Sequence, residues 1–544
     1  MAQQRQPRPV GRTPSRIVVT TAAVILITVT GCSGSSSPTS GSLAASSSAG
    51  TASASPTGGA PQRGGDLVID TPTPAQNFDV NQTSDNESIW AYDEIAETLY
   101  VNGPDGKSLV PWLATSYSLS ADQLSWTFTL RQGVKFSTGA PMTADDVAFS
   151  INQALDPNSV WSFVDTAIKS AQATGPDTVV VTTKYPWAPL LADLALFANA
   201  VIPNNFGGET RDQFFQHPVG TGPFMFSQWV KGQYLKLVRN PYYWQAGKPY
   251  LDSITYQAVA DDNTRVLQLR GGQAQIIESA PFAQLASLKA TQGISLGLFP
   301  STRIDYVTMN EQYKPFADVH VRRAISEAID RNAIMQAVFF GSGQVADSPF
   351  MPTLTYYTPN AGLLSFDLAA AKQELAQSAY PSGGFSVDFI AGSGDQVQTS
   401  VAQIVQADLK PLNIDVNIRL LDPSQVTAQE QAFKFGMRET YWTMDIVDPD
   451  EYASFILDGT AGSFSNFTHF NDPTINQLIE GADRTFDTSQ RASMYAQVQQ
   501  KAAAEAPIIW LGYSPYRYAY SDAVHGYVVY PEGNTHFEDV WLSK

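Results

Sequence analysis

The chain is poor in the residues that form disulfides, metal sites and nucleic-acid surfaces. It contains one cysteine among 544 residues, which excludes an internal disulfide. Its five histidines form no H-E-x-x-H motif and no pair at helical ligand spacing, so the sequence predicts no metal site and no cofactor. With 33 Lys and Arg against 51 Asp and Glu, the formal charge is −18, and no nucleic-acid partner is expected. The histidines are His217, His320, His469, His525 and His536.

The amino-terminal segment lacks acidic residues, since none precedes Asp66. Arginines occur there instead, and the mostly apolar run from Ile17 to Val29 follows them. A basic stretch, a short apolar run and then small residues are typical of a secretory signal, and this run is too short to span a bilayer comfortably. The sequence therefore predicts a signal peptide over residues 1–31.

Cys32 follows directly in Val29-Thr-Gly-Cys32, which resembles a bacterial lipobox. The resemblance implies that Cys32 takes a diacylglycerol thioether and anchors the protein to the outer face of the cytoplasmic membrane. A free buried thiol is the alternative, but the residues that follow offer little from which a core could form. Residues 32–62 are rich in Ser, Gly, Ala and Pro and predict a flexible tether.

The remaining chain is long enough for about three domain-sized units. A short apolar run flanked by glycines predicts a first strand near Arg63–Asp70, and the alternation of apolar and hydroxyl residues in Ser125–Leu130 predicts another. Thr143 is expected to cap a helix that carries Asp145 and Asp146 in its first turn, where acids favour the helix dipole. These two acids are therefore interpreted as helix-start residues and not as catalytic ones.

The region from 318 to 420 has a different pattern. Asp318 is expected to cap a helix, and the following segments predict strand, helix and strand, which is typical of an α/β lobe. A long helix capped by Asp487 should extend to about Glu505. The apolar run Pro507–Leu511 then follows, and it is expected to return the chain to the first lobe.

No contiguous motif supports catalysis, and the sequence predicts no catalytic residue. The one G-x-S-x-G match, Gly293–Gly297, alternates as a strand, whereas a nucleophile elbow needs a sharp turn from a strand into a helix. Gly103–Lys107 is too short for a phosphate-binding loop and is interpreted as a turn. A hydrolase whose site is assembled from distant residues stays open as an alternative.

Several long stretches together resemble family 5 extracellular solute-binding proteins, the oligopeptide and dipeptide receptors of ATP-binding-cassette (ABC) importers. The resemblance extends from about residue 64 to the carboxyl terminus. The stretches that carry it are Pro111–Asp122, Trp126–Ser150, Pro218–Phe224, Leu237–Asp252 and Pro315–Arg331.

The family resemblance implies an α/β, two-lobed periplasmic-binding-protein fold of the cluster C type, in which the lobes close on a ligand. It implies a first lobe at 63–310, an extra subdomain at about 110–215, a second lobe at 311–510 and a return to the first lobe at 511–544. The best-matching motifs are then scaffold. Gly220 and Gly222, for example, are expected to form a turn and not to contact ligand.

The resemblance also gives a role to the stretch Tyr441-Trp-Thr-Met-Asp445. In peptide-binding members, a segment of the pattern W-x-x-D-x-x-D/E-P lines the cleft, and its first aspartate pairs with the ligand's α-ammonium. Trp442 and Asp445 fit this pattern, which makes Asp445 the candidate anion. Tyr441, Thr443 and Met444 are predicted to contact ligand beside it, through side-chain walls and through backbone groups that pair with an extended peptide.

Other interpretations of this stretch remain. All four acids, Asp445, Asp448, Asp450 and Glu451, could lie on a solvated loop, and for the last three that is the interpretation we favour. No histidine or cysteine is near enough in sequence to favour a metal site. The sequence does not identify a partner for the ligand's carboxylate. Arg303 and Arg438 are candidates only because they are cationic and near the predicted cleft.

The sequence thus predicts a monomeric, lipid-anchored receptor that captures a small solute, an oligopeptide or dipeptide, outside the cytoplasmic membrane. It would deliver this ligand to permease subunits driven by cytoplasmic ATPases and perform no chemistry. A non-peptide ligand, such as a nickel chelate, an oligosaccharide or haem, is the alternative within the same role. A sensor that signals without transporting is another alternative.

Overall fold

The computed structural model describes residues 60–461 and 467–543. The predicted signal peptide, the lipidation site Cys32 and nearly all of the predicted tether lie outside these residues. The described part of the chain contains three sheets of four or more strands, two short strand pairs and helices that cover them. None of its helices is both long enough and apolar enough to cross a membrane.

The first sheet has seven strands and includes both the earliest and one of the latest segments of the described chain. Asp66–Thr71 lies near its centre, parallel to both of its neighbours, and its buried Leu67 and Ile69 pack into the main core. The strands, in order across the sheet, are Ile294–Phe299, Tyr516–Ser521, Ile276–Ile277, Asp66–Thr71, Ser253–Ala258, Tyr234–Arg239 and Phe224–Val230.

The second sheet has six strands and is built from the later part of the chain. Its central strand Ile304–Met309 is fully buried and pairs with a strand on each side. Its sequence Ile-Asp-Tyr-Val-Thr-Met carries a single charge, Asp305, which accepts hydrogen bonds from Arg303. The strands, in order, are Gln344–Val345, Ile508–Tyr513, Ile304–Met309, Met437–Trp442, Phe385–Gly392 and Ile414–Leu421.

A third, four-stranded antiparallel sheet lies within the region predicted as the extra subdomain. The inward residues Trp126, Phe128 and Leu130 form a separate core with the helix that follows. The strands, in order, are Ala114–Leu119, Ser125–Leu130, Thr178–Thr183 and Ile168–Gly175. The short pairs are Tyr100–Asn102 with Leu109–Pro111, and Val524–His525 with Trp541–Leu542.

Many of the described α-helices begin where the sequence places a capping Asp or Thr. The Thr143 side chain accepts from the backbone N–H of Asp146, and Asp318 and Asp487 likewise cap their helices, so these three predictions are confirmed. The described α-helices are Asn86–Asp93, Ala144–Ala154, Leu190–Asp193, Arg211–Phe214, Asp262–Arg270, Leu285–Lys289, Val319–Ala328, Arg331–Ala337, Leu368–Leu375, Gln396–Leu409, Pro423–Gln431, Asp450–Ile456, Pro473–Asp483 and Thr488–Glu505.

The chain passes between the first and second sheets in two short segments. It leaves the first sheet after Phe299, enters the second at Ile304, and returns between Tyr513 and Tyr516. The run expected to return it, Pro507–Leu511, contributes instead to a strand of the second sheet, because its apolar residues pair with the buried strand Ile304–Met309. The first crossing also precedes the predicted limit at 310. The lobes as bodies that move stay a prediction.

Gly220 and Gly222 hold the scaffold where two backbones meet. A Cβ at Gly222 would overlap the carbonyl oxygen of Glu94, and one at Gly220 would overlap that of Ile95. The close approach lets Gly222 donate from its N–H to the carbonyl oxygen of Ile95 at 2.9 Å. The motif around these glycines therefore requires residues without side chains for packing.

Candidate functional site

Two cavities lie between the part of the chain that carries the first sheet and the strands of the second. The larger has a volume of about 650 Å³ and is bounded by residues 158–163 on one side and by the strand Met437–Trp442 on the other. The smaller has a volume of about 160 Å³. Tyr441 lines both cavities and so forms the wall between them.

The strand Met437–Trp442 presents its residues by ordinary alternation. Met437 and Glu439 are buried on one face, whereas Arg438, Thr440 and Trp442 line the larger cavity. One edge of this strand pairs along its whole length with Ile304–Met309. On the other edge its pairing with Phe385–Gly392 is limited to Met437 opposite Phe389. On that edge, the residues after Met437 therefore do not pair with Phe385–Gly392.

The indole of Trp442 is held in place on three sides. Its ring stacks on Phe455 with centroids 4.1 Å apart and lies 6.4 Å from the ring of Trp161 on the opposite wall. Its Nε1 donates to Glu451 Oε1 at 3.1 Å. An aromatic surface so fixed can stack on a ligand without losing further side-chain freedom.

Tyr441 and Thr443 also reach the cavities. The Tyr441 ring is 44% exposed, and the guanidinium carbon of Arg303 lies 3.6 Å above its centroid. Thr443 lines the smaller cavity and its Oγ1 accepts from Asn86 Nδ2 at 3.3 Å. Met444, by contrast, is fully buried in the main core and borders neither cavity. Of the predicted stretch, Met444 thus gives its side chain to packing, and its contact with ligand stays a prediction.

Asp445 is held through its backbone and has a free carboxylate. Its N–H donates to Glu451 Oε2 at 2.9 Å, and its carbonyl oxygen accepts from Asn102 Nδ2 at 2.7 Å. Within residues 60–461 and 467–543, the carboxylate forms no hydrogen bond and no ion pair. Burial raises the pKa of Asp445 to about 7. Asp445 borders neither cavity directly but lies beside Tyr516, which lines the smaller one.

The surroundings of Asp445 are acidic and short of hydrogen-bond partners. Burial and the charge of Asp445 raise the pKa of Asp93, and burial raises that of Glu532 to about 8. Both carboxylate oxygens of Glu532, the hydroxyl of Tyr516 and Nε1 of Trp90 are buried without a partner in the described chain. The acceptors among these groups, the Glu532 carboxylate and the Tyr516 hydroxyl, favour a positively charged hydrogen-bond donor at this position.

The interpretation of Asp448, Asp450 and Glu451 as a solvated loop is wrong. The exposed fractions of these residues are 9%, 0% and 0%. Asp448 accepts two hydrogen bonds from Arg491, at 2.8 and 2.9 Å, and Glu451 accepts from the backbone of the Asp445 turn. Asp448 is compensated by Arg491, which is distant in sequence, whereas Glu451 accepts from donors within nine residues and Asp450 accepts from the Ser454 hydroxyl.

The two arginines considered for the ligand's carboxylate both have acidic partners. Arg303 donates from Nη2 to Asp305 Oδ1 at 2.6 Å, and Arg438 forms an ion pair with Glu430. Arg438 lines the larger cavity and Arg303 the smaller. Sequence reasoning missed Arg517, which also lines the smaller cavity, because its strand was not placed beside the cleft. The alternation of tyrosines with other residues in Tyr516–Ser521 was the available signal, since it predicts a strand that carries Arg517.

The residues examined as catalytic or metal-binding candidates are not brought together. Ser295 lies in a strand of the first sheet, as predicted, and its Oγ donates to Asp522 at 2.7 Å. His320 and His536 pair separately with Glu374 and Glu538. In the part of the chain that the structure describes, no three His, Cys, Asp or Glu residues are arranged to hold a metal ion.

Comparisons with known proteins agree with the observed architecture. The chain is 28% identical over 493 residues to the glutathione-binding protein GsiB of Pectobacterium atrosepticum, covering 88% of this chain and 94% of that protein. It is 30% identical over 442 residues to GsiB of Escherichia coli O1:K1 / APEC, covering 79% of this chain and 85% of that protein.

A solved structure supports the same conclusion. The ABC transporter-associated periplasmic binding protein DppA of Helicobacter pylori, in complex with the peptide STSA, matches with a TM-score of 0.79 and 26% identity, over 89% of this chain and 99% of that one. This match confirms the predicted two-lobed α/β fold. A family model described as bacterial extracellular solute-binding proteins, family 5, middle region, matches residues 108–464. The chain therefore belongs to the family 5 bacterial extracellular solute-binding proteins.

Proposed function

We propose that this protein is the substrate-binding receptor of an ABC importer and that it captures a short peptide by its free amino terminus. One observation carries the proposal: the carboxylate of Asp445 lies beside the cleft between the two sheets and has no partner among the described residues. Family 5 proteins are transport receptors, and their place is outside the cytoplasm.

An unpaired carboxylate in a site of low polarity interacts strongly with a cation that enters it. The same charge pair that is worth about 1 kcal/mol in bulk water is worth several times more near a protein surface or in its interior. A peptide's α-ammonium offers three N–H donors to Asp445 and to the acceptors around it, Glu532 and Tyr516. A bound α-ammonium would therefore give these acceptors the hydrogen-bond partners that they lack among the described residues.

The strand beside the cleft suits an extended peptide. Beyond Met437, the edge of the strand that faces away from Ile304–Met309 pairs with no other strand of the described chain. A peptide can add to such an edge through main-chain hydrogen bonds, which do not depend on side-chain identity. Trp442, Trp161 and Phe455 then supply apolar walls for one side chain of the ligand.

The named relatives suggest the first ligands to test. GsiB is described as glutathione-binding, and the DppA structure contains a tetrapeptide, so a peptide of a few residues fits the cavities and the relatives alike. The finer parts of the proposal follow the sequence. The protein would be a monomer, anchored through Cys32 and free of catalysis, and would deliver its ligand to permease subunits with cytoplasmic ATPases.

The test is a binding measurement by calorimetry and native mass spectrometry on the purified protein. The ligands are glutathione and trialanine, each with a free and with an acetylated amino group. We expect the free forms to bind on the order of 10- to 100-fold more tightly, because a charge-assisted hydrogen bond contributes about 1.5–3 kcal/mol.

Two variants complete this experiment. Asp445→Asn should remove the preference for the free amino group, whereas Asp415→Asn, which changes an exposed acid on the second sheet, should leave it intact. Equal binding of free and acetylated forms by the unmodified protein would contradict the proposed role of Asp445. Binding of neither peptide in either form would contradict the peptide ligand.

A further inference from the structure

The smaller cavity has charges of both signs on its walls. Glu87 and Glu278 lie on the side of the first sheet together with Arg517, and Arg303 faces them from the second. In a cavity of about 160 Å³, these groups are close enough for their charges to act on one another through little intervening water. How well each charge is compensated therefore decides what the cavity can hold.

Arg517 forms no ion pair with a carboxylate among the described residues, although the charges of Asp305 and Asp262 act on it from a longer distance. Its Nε donates to the carbonyl oxygen of Ala280 at 3.1 Å, and its guanidinium carbon lies 3.5 Å above the ring of Phe282. These two contacts fix the plane of the guanidinium. Among the described residues, no carboxylate lies within salt-bridge distance of Arg517, and no acceptor is found for its two Nη atoms.

Arg303 differs from Arg517 because it has a carboxylate partner. Asp305 accepts hydrogen bonds from Nε and Nη2 of Arg303, at 2.9 and 2.6 Å. Burial and the neighbouring charge of Arg303 lower the pKa of Arg517 to about 9. Because the cavity disfavours the charged form of Arg517, an anion that enters the cavity beside this guanidinium is strongly stabilised.

The two acids of the cavity do not neutralise Arg517. The Glu87 carboxylate accepts a hydrogen bond from the Thr73 hydroxyl, and burial raises its pKa to about 7. Burial, and then the charge of Glu87, raises the pKa of Glu278 well above its usual range. Protonated Glu278 is neutral and can itself donate a hydrogen bond to an anion in the cavity.

We propose that the smaller cavity binds a carboxylate of the ligand, held between the guanidinium groups of Arg517 and Arg303. The proposal rests on the proposed function, since it assigns the second charged end of the same peptide ligand. It would give the cleft one subsite for an ammonium, at Asp445, and one for a carboxylate. The receptor would then select zwitterionic ligands.

A carboxylate fits this site better than a larger anion. It accepts paired hydrogen bonds from a planar guanidinium, and the fixed plane of Arg517 is suited to that geometry. A phosphate would bring up to two negative charges against Glu87 and Glu278, which cannot both remain neutral as the pH rises above 7. The small volume also favours a terminal group over a whole side chain.

The experiment compares glutathione and trialanine with the same peptides in which every carboxylate is converted to a primary amide. Affinities are measured by calorimetry for the unmodified protein, Arg517→Gln and Arg270→Gln, the last being an exposed arginine of the same lobe. We expect the acids to bind 10- to 100-fold more tightly than the amides. Arg517→Gln should remove most of this preference by weakening the acids alone, and Arg270→Gln should preserve it.

The outcomes separate this inference from the proposed function. If Arg517→Gln keeps the preference for carboxylates while Asp445→Asn loses the preference for a free amino group, the carboxylate subsite is refuted and the peptide receptor stands. If the unmodified protein binds no peptide, both fall. Arg517→Lys keeps the positive charge and serves as a control for misfolding. If its melting temperature equals that of the unmodified protein, it should retain part of the preference for carboxylates that Arg517→Gln loses.

Discussion

Glu451 organises the turn that carries Asp445, and its removal should destabilise the protein in a measurable way. The fully buried carboxylate accepts three hydrogen bonds: from Nε1 of Trp442 at 3.1 Å, and from the backbone N–H groups of Asp445 and Ile446 at 2.9 and 3.1 Å. The change Glu451→Ala leaves all three donors without an acceptor.

The expected magnitude follows from these contacts. A buried donor without a partner costs roughly 1–3 kcal/mol, so the loss of all three hydrogen bonds could lower the free energy of unfolding by at most about 3–9 kcal/mol. The space vacated by the side chain is polar, and a water molecule there can satisfy one or two donors. We therefore expect Glu451→Ala to lower the free energy of unfolding by about 2–4 kcal/mol. Glu451→Gln, which keeps one oxygen, should cost about 1 kcal/mol.

The assay is urea denaturation at pH 7, followed by tryptophan fluorescence. Glu480→Ala is the matched control, because Glu480 is exposed and pairs only with Arg484 on its own helix, so the change should stay within about 0.5 kcal/mol. Peptide affinity should fall together with stability in Glu451→Ala, since the Asp445 backbone loses its anchor. A free energy of unfolding for Glu451→Ala within about 0.5 kcal/mol of the unmodified protein would refute this account of the turn.

Two further predictions concern the scaffold and its titration. Gly222→Ala should lower the free energy of unfolding by about 2 kcal/mol or more, because the added Cβ meets the backbone of Glu94. Gly175→Ala is the control, since its Cβ would make only ordinary contacts, and it should change the free energy little. Equal urea midpoints for the two variants would contradict this prediction. Burial raises the pKa of Glu97, Asp165 and Glu439 to about 7, 7 and 8, so the folded chain holds protons that the unfolded chain releases near pH 4. Stability should therefore fall as the pH rises from 5 to 8, and urea midpoints that rise over this range would overturn the reasoning.

Local signals predicted the secondary structure well because they act over a few residues. The cap of the helix Ala144–Ala154 is formed by Thr143 and Asp146, three positions apart, and both are visible in the sequence. The alternation in Ser125–Leu130 likewise fixes a strand whatever lies around it. Such patterns need no knowledge of the tertiary fold.

The burial of the acids after Asp445 could not be predicted in this way. Whether Asp448 is solvated depends on Arg491, which lies in another helix and reaches it only in the folded chain. The same holds for Arg517, which meets the cleft only because Tyr516–Ser521 returns to the first sheet. Where a charge is compensated by a residue far along the chain, composition and spacing carry no record of it.

The return of the chain to the first sheet has a mechanical consequence. The second sheet is an insertion, entered after Phe299 and left before Tyr516, so the chain on either side of it belongs to the first sheet. A pull on the chain upstream of Asp66 loads the first sheet directly and leaves the second unloaded. Closure of the lobes, as the proposed function requires, would therefore bend the chain at these two crossings and not upstream of Asp66.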